Sequence, residues 1–412
     1  MAQRRTTSNP ITRLFRVFRR KSRTLWRLVF PPEIVPFTAE SAQGRRIAAF
    51  FADTPSKIYQ IAQWIPVFEK APVHLQPVII TRHTATTEEL QKITSLPIIH
   101  ARKYDLLMQL LELSKFKAFI YVNNSYQNFQ TLAYQQAVHI HVNHGESDKI
   151  SMVSNQSKAY DKVFVAGAAA KDRYLSAVAW VDENKLIPVG RPQLDLETQP
   201  ILDKSSLKTI TYAPTWEGED EANNYTSMDC YGMAIIDAAL QQPNCRVIYK
   251  PHPRILDSKD PLINNAHKYI TQRLSRGEHE IHLTGDVLSV LKETDLLISD
   301  ISSVTLDYLY LRPKGSIFLT DRRDDRDLLI AESPVAKASY IVDASTIGQL
   351  SKSLEKVLAQ DELFEKRQEV CRYYFGGIAA GESTAAFYRE LERAVAEHDA
   401  AVSQLSRSRR GH

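Results

Sequence analysis

Short apolar runs alternate with amphipathic segments from residue 46 onward. Residues 46–53 predict a strand, and residues 56–70 have the apolar spacing of a helix, with Thr54 or Ser56 as its cap. Six further runs predict strands: LQPVIITRH, LPIIH, KAFIYV, VHIHVNHG, DKVFVAG and KLIPVG. Because strands that alternate with helices need right-handed crossovers, the pattern predicts a parallel sheet covered on both faces.

The pattern breaks in the polar segment 191–208, which contains two prolines, and then restarts. Strands are predicted by TITYAPT, RVIYKPHP, HEIHL, DLLISD, SIFLT and SYIVD, and residues 345–403 have an entirely helical pattern. We interpret this as two doubly wound domains joined by a linker at 191–208. The predicted bounds are 36–195 for the first domain, 205–385 for the second and 386–412 for a C-terminal helix and tail.

The totals agree with two domains, since 412 residues with 43% hydrophobic composition exceed one ordinary core. The three cysteines (Cys230, Cys245 and Cys371) have no paired spacing, which argues against a disulfide scaffold or a zinc site and fits a reducing compartment. The chain contains no run of about 18 apolar residues, so no membrane span is predicted. The N-terminal residues lack an uninterrupted apolar h-region, so no signal peptide is predicted.

The net charge of +4 is unevenly distributed, because residues 1–30 are rich in Lys and Arg and contain no acid. Within residues 11–30 the apolar side chains recur at helical spacing opposite the arginines. We therefore predict that residues 1–35 form an amphipathic arm that lies on an anionic membrane surface, with the protein peripheral at its cytoplasmic face. A basic disordered tail is the plainer alternative, and nucleic-acid binding is less favoured because the body is mildly acidic.

Candidate chemistry begins with VNHGESDK, where His144 ends a predicted strand and Gly145 permits a sharp turn. A histidine facing a cleft suits proton transfer near neutral pH, whereas the plain alternative is a loop histidine that ends the strand. His139 and His141 have a spacing that can bind metal, but no third ligand accompanies them. We therefore interpret both as core or half-exposed residues.

Further candidates follow strands of the second domain, where ligands of doubly wound sheets bind. YAPTWEGED places Thr215 and Trp216 after a strand, either facing a ligand or packing at the domain edge. In YKPHPR, two prolines stiffen the backbone around His252, which Lys250 and Arg254 flank at two-residue spacing.

The segment LLISDISSVTLDYLYL ends a strand at Asp300 and begins a helix that Ser302 or Ser303 caps. One cap explains one serine, and a second serine beside free N–H groups indicates an anion site. Together with the cations of YKPHPR, this predicts a site for one or more phosphoryl groups. No P-loop or GxGxxG run is present, which disfavours ATP hydrolysis and dinucleotide oxidoreduction.

The runs HGESDK, GRPQLD, YAPTWEG, YKPHPR and SDISSVTLDYLYLRPK, in this order, resemble the CDP-glycerol:poly(glycerophosphate) glycerophosphotransferases, which include teichoic-acid and capsule enzymes. The resemblance covers roughly residues 46–385. It implies an α/β, GT-B-like fold of two Rossmann-like domains facing a cleft, with a helical C-terminus. It also implies transfer of glycerol phosphate from CDP-glycerol with release of CMP.

By this resemblance, His144 matches the catalytic base, and His252, Arg254, Ser302 and Ser303 match contacts to the donor pyrophosphate. Lys149 is kept. The chain departs from the family pattern where it has Glu146, Ser147 and Asp148 in place of Thr-Pro-Leu, and Gln193 in place of a common arginine. Both departures lie near the predicted acceptor side of the cleft.

We therefore predict a phosphotransferase in which an acceptor hydroxyl, deprotonated by His144, attacks the β-phosphorus of a CDP-polyol. His252 is a second catalytic candidate, with donor-phosphate contacts from Lys250, Arg254, Asp300, Ser302 and Ser303, and possible donor or cleft contacts from Thr215, Trp216 and Lys149. The sequence indicates no required cofactor or metal. The predicted partners are the CDP-polyol donor and a lipid-linked or polymeric polyol-phosphate or glycan acceptor.

Two alternatives remain open. A GT-B glycosyltransferase with a nucleotide-sugar donor would need a similar phosphate site, and trials with CDP-glycerol, CDP-ribitol and UDP-sugars distinguish the two. A non-catalytic protein that binds membrane or nucleic acid is the other alternative, and any nucleotide turnover would exclude it.

Overall fold

The structure, a computed structural model, describes residues 44–149, 152–196, 201–378 and 381–410. The predicted arm, residues 1–35, lies outside these ranges. Two parallel sheets, each with helices on both faces, form the described part of the chain. This confirms the predicted class of two doubly wound domains.

The first sheet has seven strands in the order β3-β2-β1-β4-β5-β6-β7, and all of its pairs are parallel. The strands are β1 (Ile47–Phe51), β2 (Val78–Thr81), β3 (Ile98–His100), β4 (Ala118–Tyr121), β5 (Val138–His141), β6 (Lys162–Val165) and β7 (Leu186–Pro188). Its helices are α1 (Ile58–Ala62), α2 (Ile65–Glu69), α3 (Thr84–Leu90), α4 (Tyr104–Leu113) and α5 (Ala168–Ala177). Every strand predicted in this half is confirmed.

The second sheet has six parallel strands in the order β10-β9-β8-β11-β12-β13. The strands are β8 (Lys208–Ala213), β9 (Cys245–Tyr249), β10 (Glu280–Ile281), β11 (Leu296–Ser299), β12 (Ser316–Thr320) and β13 (Tyr340–Val342). Its helices are α6 (Gly232–Leu240), α7 (Pro261–Arg273), α8 (Val287–Leu291), α9 (Ser303–Leu311), α10 (Arg326–Glu332), α11 (Leu350–Ala359) and α12 (Phe364–Phe375).

Consecutive strand residues are buried on opposite faces, which explains the continuous apolar runs. Phe50 and Phe51 are each 1% exposed, yet they belong to different clusters of the core, one on each side of the first sheet. A sheet covered on both faces has no polar face to alternate with, so its strands lose the period-two signal.

The single helix predicted at 56–70 is wrong, because the chain makes two short helices there, α1 and α2. Pro66 has no N–H to donate to the carbonyl of Ala62, so one helix cannot run through both. Thr54 occupies the cap position before this region, but its side chain makes no capping hydrogen bond.

The segment predicted as a linker begins as packed structure. Arg191, Gln193 and Leu194 are buried, and Asp195 accepts hydrogen bonds from the hydroxyl of Tyr310 (2.7 Å) and the backbone N–H of Thr384 (2.6 Å). This part of the segment therefore fixes the junction between the two halves rather than spacing them.

The last helix, α13 (Ser383–Arg410), packs against the first sheet. Phe387 lies 5.2 Å from Trp64 between ring centroids, and Asp399 forms ion pairs with Arg46 (3.1 Å) and Lys117 (2.6 Å). The helical pattern predicted over 345–403 corresponds to α11, α12 and α13, with breaks between them, one of which follows α12 at Gly376, whose φ is +69°. Within the described ranges, no helix is long and apolar enough to cross a membrane.

Candidate active site

His144 lies on a constrained turn that follows β5. The turn begins at Asn143, whose φ of 55° is a left-handed conformation that asparagine tolerates. The indole N–H of Trp64 donates to the carbonyl of Asn143 (2.6 Å), and the Asn143 side-chain oxygen accepts from the backbone N–H of His144 (2.9 Å). The ring of Tyr59 meets the imidazole edge-to-face at 5.8 Å. These contacts fix the direction of the imidazole.

The His144 imidazole is neutral near pH 7. Burial, and then the positive charge of Arg191, lower the pKa of His144 to about 4. Its Nδ1 atom is buried and makes no hydrogen bond in the structure. A neutral imidazole in this position has the protonation state that a proton acceptor requires.

The N-terminus of α9 faces this turn from the second domain. A Cβ built on Gly145 would lie only 4.0 Å from the Cβ of Ser303, so the two predicted motifs approach each other closely. Ser302 occupies the cap position of α9, but the predicted cap is not made, because its hydroxyl is buried without a hydrogen bond. The hydroxyl and the first N–H groups of α9 are thus available to an anion.

Asp300 organises the strand ends beneath this helix. Its carboxylate is fully buried and accepts from the backbone N–H of Thr215 (2.7 Å) and the hydroxyl of Thr320 (2.6 Å). Burial raises the pKa of Asp300, and these hydrogen bonds act in the opposite direction. The Asp300 carboxylate thus holds the backbone of Thr215, and its predicted contact with the donor phosphate stays a prediction.

Lys149 links the two halves of the cleft. Its Nζ donates to the hydroxyl of Thr215 (3.2 Å) and lies 5.3 Å from the ring centroid of Tyr225. Burial lowers the pKa of Lys149, and the negative charge of Asp300 opposes that shift. Lys149, a residue of the first domain, therefore contacts the second domain directly.

His252 lies among three cations. Burial, followed by the charges of Lys149, Arg254 and Lys250, lowers the pKa of His252 to about 4. Its Nδ1 accepts from the backbone N–H of Arg254 (3.2 Å), which fixes the imidazole on the turn between its two prolines. Lys250 is 4% exposed, and burial lowers its pKa too. Positive groups held this closely are stabilised by an anion.

Trp216 packs against the basic turn. The Arg254 guanidinium lies 3.7 Å from its ring centroid, and the His252 ring stacks at 6.2 Å. Arg254 also pairs with Glu219 (3.1 Å) and is exposed, so it lies at the rim of the cation cluster. Trp216 therefore packs against the basic turn, and its predicted contact with a ligand stays a prediction.

Sequence reasoning missed a buried ion pair beside His144. Arg191 lies 2.8 Å from Asp307 of α9, and burial raises the pKa of Asp307 to about 6 against the opposing charge of Arg191. The preceding Gly190 has a φ of +71°, and a Cβ there would meet the Ser383 hydroxyl at 2.1 Å. The turn GRP after β7 was the available signal, since Gly and Pro mark a defined turn next to a charge.

Glu146 and Asp148, the acidic residues that depart from the family pattern, form ion pairs and hydrogen bonds with other residues of the protein. Arg173 forms ion pairs with Glu146 and Asp148, and Asp148 also accepts from the hydroxyls of Ser333 (2.7 Å) and Tyr374. His139 and His141 lie in β5 and are buried, as predicted for core histidines.

The architecture of two facing parallel α/β sheets defines a GT-B-like protein. The model of the family described as CDP-Glycerol:Poly(glycerophosphate) glycerophosphotransferase matches residues 114–323. This is half of the chain, and the chain belongs to that family. No curated protein sequence matches the chain.

Solved structures share the fold at low identity. The wall teichoic acid polymerase TagF has a TM-score of 0.58 at 13% identity, covering 92% of this chain and 98% of that one. A putative UDP-N-acetylglucosamine 2-epimerase from Listeria monocytogenes has a TM-score of 0.56 at 13% identity, covering 82% and 93%. The UDP-GlcNAc 2-epimerase from Neisseria meningitidis, bound to UDP-GlcNAc, also has 0.56 at 13% identity, covering 84% and 99%. At these identities the likeness is one of fold.

Proposed function

We propose that this protein transfers glycerol phosphate, or a similar polyol phosphate, from a CDP-polyol to a hydroxyl of a cell-wall or capsular polymer, with release of CMP. The observation that carries the proposal is the approach of the His144–Gly145 turn to Ser303 at the start of α9. A proton acceptor on one domain thereby faces an anion site on the other. Family membership supports the choice of donor.

In the proposed reaction the acceptor oxygen attacks the β-phosphorus of the donor. A new oxygen–phosphorus bond forms, and the bond from the β-phosphorus to the bridging oxygen breaks. CMP leaves with that electron pair, and the acceptor proton passes to His144. The lowered pKa of His144 keeps the imidazole unprotonated before the reaction.

The anion site supplies the stabilisation of charge. Lys250, His252 and Lys149 surround the position where the pyrophosphate of the donor would lie, and the free N–H groups of α9 with the Ser302 hydroxyl complete it. Such preorganised donors act on charge that develops during phosphoryl transfer. In this proposal Arg254 closes the outer side of the site, and Asp300 holds Thr215 in place.

The arm extends the proposal to cellular location. Basic and apolar side chains of residues 11–30 have the pattern of a helix in a membrane interface. We propose peripheral attachment to the cytoplasmic face of the membrane, where a lipid-linked acceptor would be available.

The test is nucleotide release from purified full-length protein with CDP-glycerol, CDP-ribitol and UDP-sugars, each with and without a polyol-phosphate acceptor. Acceptor-dependent CMP release, with a matching mass increase of the acceptor, is the expected result. Release of UDP instead would indicate a glycosyltransferase, and no release from any donor would refute catalysis.

A further inference from the structure

Five basic side chains lie together at one end of the first sheet, away from His144. Arg82 and His83 follow β2, His100 ends β3, and Arg102 and Lys103 follow it. Thr81 and His100 are partners in the register of these two strands, so the groups share one edge. We name these five residues the basic rim.

The rim is held in place by its own contacts. The Arg82 guanidinium donates to the carbonyl of Arg102 (3.1 Å) and to the side chain of Gln130, while its Nε is buried without a hydrogen bond. The His100 ring lies within hydrogen-bonding distance of the hydroxyls of Thr87 (2.9 Å) and Thr84 (3.3 Å). Within the described residues, the Arg82 guanidinium donates to oxygens that carry no charge, so it keeps its positive charge.

The charges of the rim act on one another. After burial, the charges of Arg102, His83 and Arg82 lower the pKa of His100. The acid on the neighbouring strand end, Asp53, already pairs with Lys57 (3.3 Å). Asp105 lies in the first turn of α4, whose N-terminus has no side-chain cap. His83, Arg102 and Lys103 are exposed, and a ligand therefore has access to them.

The rim and the candidate base both lie at the carboxyl ends of strands in the first sheet, but the strands that carry them are several positions apart. The strand order puts β2 three strands and β3 four strands from β5, which His144 follows. At ~4.8 Å between strands, the separation is about 14–19 Å. The rim therefore cannot contact the phosphorus that reacts beside His144.

We infer that the basic rim binds the phosphodiester backbone of a polymeric acceptor, several repeat units away from the hydroxyl that reacts. This inference rests on the proposed function, because it names the acceptor of that same site. A polymer with one anionic phosphodiester in each repeat matches a cluster of basic groups at the carboxyl end of the sheet that also carries His144. Exposed Tyr59, which contacts His144, lies in α1 after β1, and exposed Tyr126 follows β4, so both follow strands that lie between β2 and β5.

The arrangement implies selection by acceptor length. A long acceptor spans both the rim and the cleft, whereas a single polyol phosphate reaches only the cleft. The protein would then extend existing chains in preference to starting them.

The test compares Arg102→Gln/Lys103→Gln with Lys70→Gln/Lys115→Gln. The control pair makes the same charge change with exposed residues that precede β2 and β4, at the opposite edge of the sheet. Soluble poly(glycerophosphate) of defined lengths is titrated into each full-length protein at low and physiological salt. Initial rates with long and single-unit acceptors, and co-sedimentation with anionic vesicles, are measured in parallel.

We expect the rim variant to bind the long oligomer roughly tenfold more weakly at low salt, with a shallower salt dependence, since it releases fewer counterions. KM should rise for the long acceptor and change little for the single unit, with kcat preserved. Equal oligomer affinity in the two variants would overturn the inference. So would a loss of vesicle binding with oligomer binding unchanged, which would identify a lipid surface as the ligand. Because the titration needs no turnover, its outcome is separate from failure of the proposed transfer reaction.

Discussion

The ammonium group of Lys149 donates to the hydroxyl of Thr215 across 3.2 Å, and the backbone N–H of Thr215 donates to Asp300. A loop of the first domain is thus connected through one threonine to the buried carboxylate that organises the second. This contact lies between the candidate base and the cation cluster, so the relative position of the domains and the charge of the cleft depend on the same residues.

His144→Ala should abolish most transfer while leaving donor binding largely unchanged, because the base acts on the acceptor. Loss of one general base typically costs ~10²–10⁴ in rate. Initial rates and calorimetry with CDP measure the two effects. His74→Ala, at an exposed ion pair with Glu392, is the matched control. Turnover near that of the unmodified protein would reject His144 as the base.

The double variant Ser302→Ala/Ser303→Ala should bind CDP roughly tenfold or more weakly, since hydrogen bonds to charged groups are lost. Thermal stability should change little, because the Ser302 hydroxyl does not cap α9 in the structure. His252→Ala should weaken CDP binding as well. Calorimetry with CDP and thermal unfolding separate binding from stability.

Ser154→Ala is the control for this pair, because the Ser154 hydroxyl does make a cap bond, accepting from the N–H of Gln156 (3.2 Å). It should lose some stability and keep CDP affinity. If the Ser302→Ala/Ser303→Ala variant kept full affinity for CDP, as Ser154→Ala should, the phosphates of the donor would have to bind elsewhere.

His141→Phe should stabilise the protein more at pH 5.0 than at pH 7.5. The imidazole is fully buried without hydrogen bonds and stacks on Tyr160 at 5.0 Å, and burial lowers its pKa to about 3. Between that value and an unfolded pKa near ~6.5 the unfolded chain binds a proton that the folded protein does not, so stability is lost as pH falls.

Between pH 7.5 and pH 5.0, this difference in proton binding lowers the free energy of unfolding of the parent protein by about 2 kcal/mol. Urea denaturation of both proteins at the two pH values gives the difference. A stability difference between variant and parent that is equal at pH 5.0 and pH 7.5 would contradict the neutral, buried state of His141.

Deleting residues 1–30 should release the protein from anionic liposomes, because each basic residue near such a surface contributes about 1 kcal/mol at best. Activity on membrane acceptors should fall, while turnover on a soluble acceptor analogue persists. Equal co-sedimentation of the full-length and truncated proteins at low and physiological salt would rule out the anchor.

The strands were predictable because each apolar run is buried on both faces, as Phe50 and Phe51 illustrate. A continuous apolar run can be identified from the local sequence without knowing which strands lie beside it. The positions of His144 and Ser303 at strand ends were equally accessible, since parallel strands end at one edge. The close approach of Gly145 to Ser303 was not, because it depends on how one domain is oriented against the other.

The same limit applies to the contacts between distant segments. Arg191 pairs with Asp307, and Arg173 holds Glu146 and Asp148, across separations that local spacing does not encode. A charged residue in a loop has the same local pattern whether it is solvated or buried in a pair. Only the assembled fold distinguishes the two.

The return of α13 to the first sheet makes that domain discontinuous along the chain. A fragment that stops before Ser383 would uncover the surface on which Phe387 and Leu391 pack beside Trp64. Exposed apolar surface of this kind promotes aggregation. The first domain therefore cannot be isolated by cutting at its apparent boundary near residue 196. An excised version has to carry residues 383–410, joined to it by a new connection or supplied as a separate peptide.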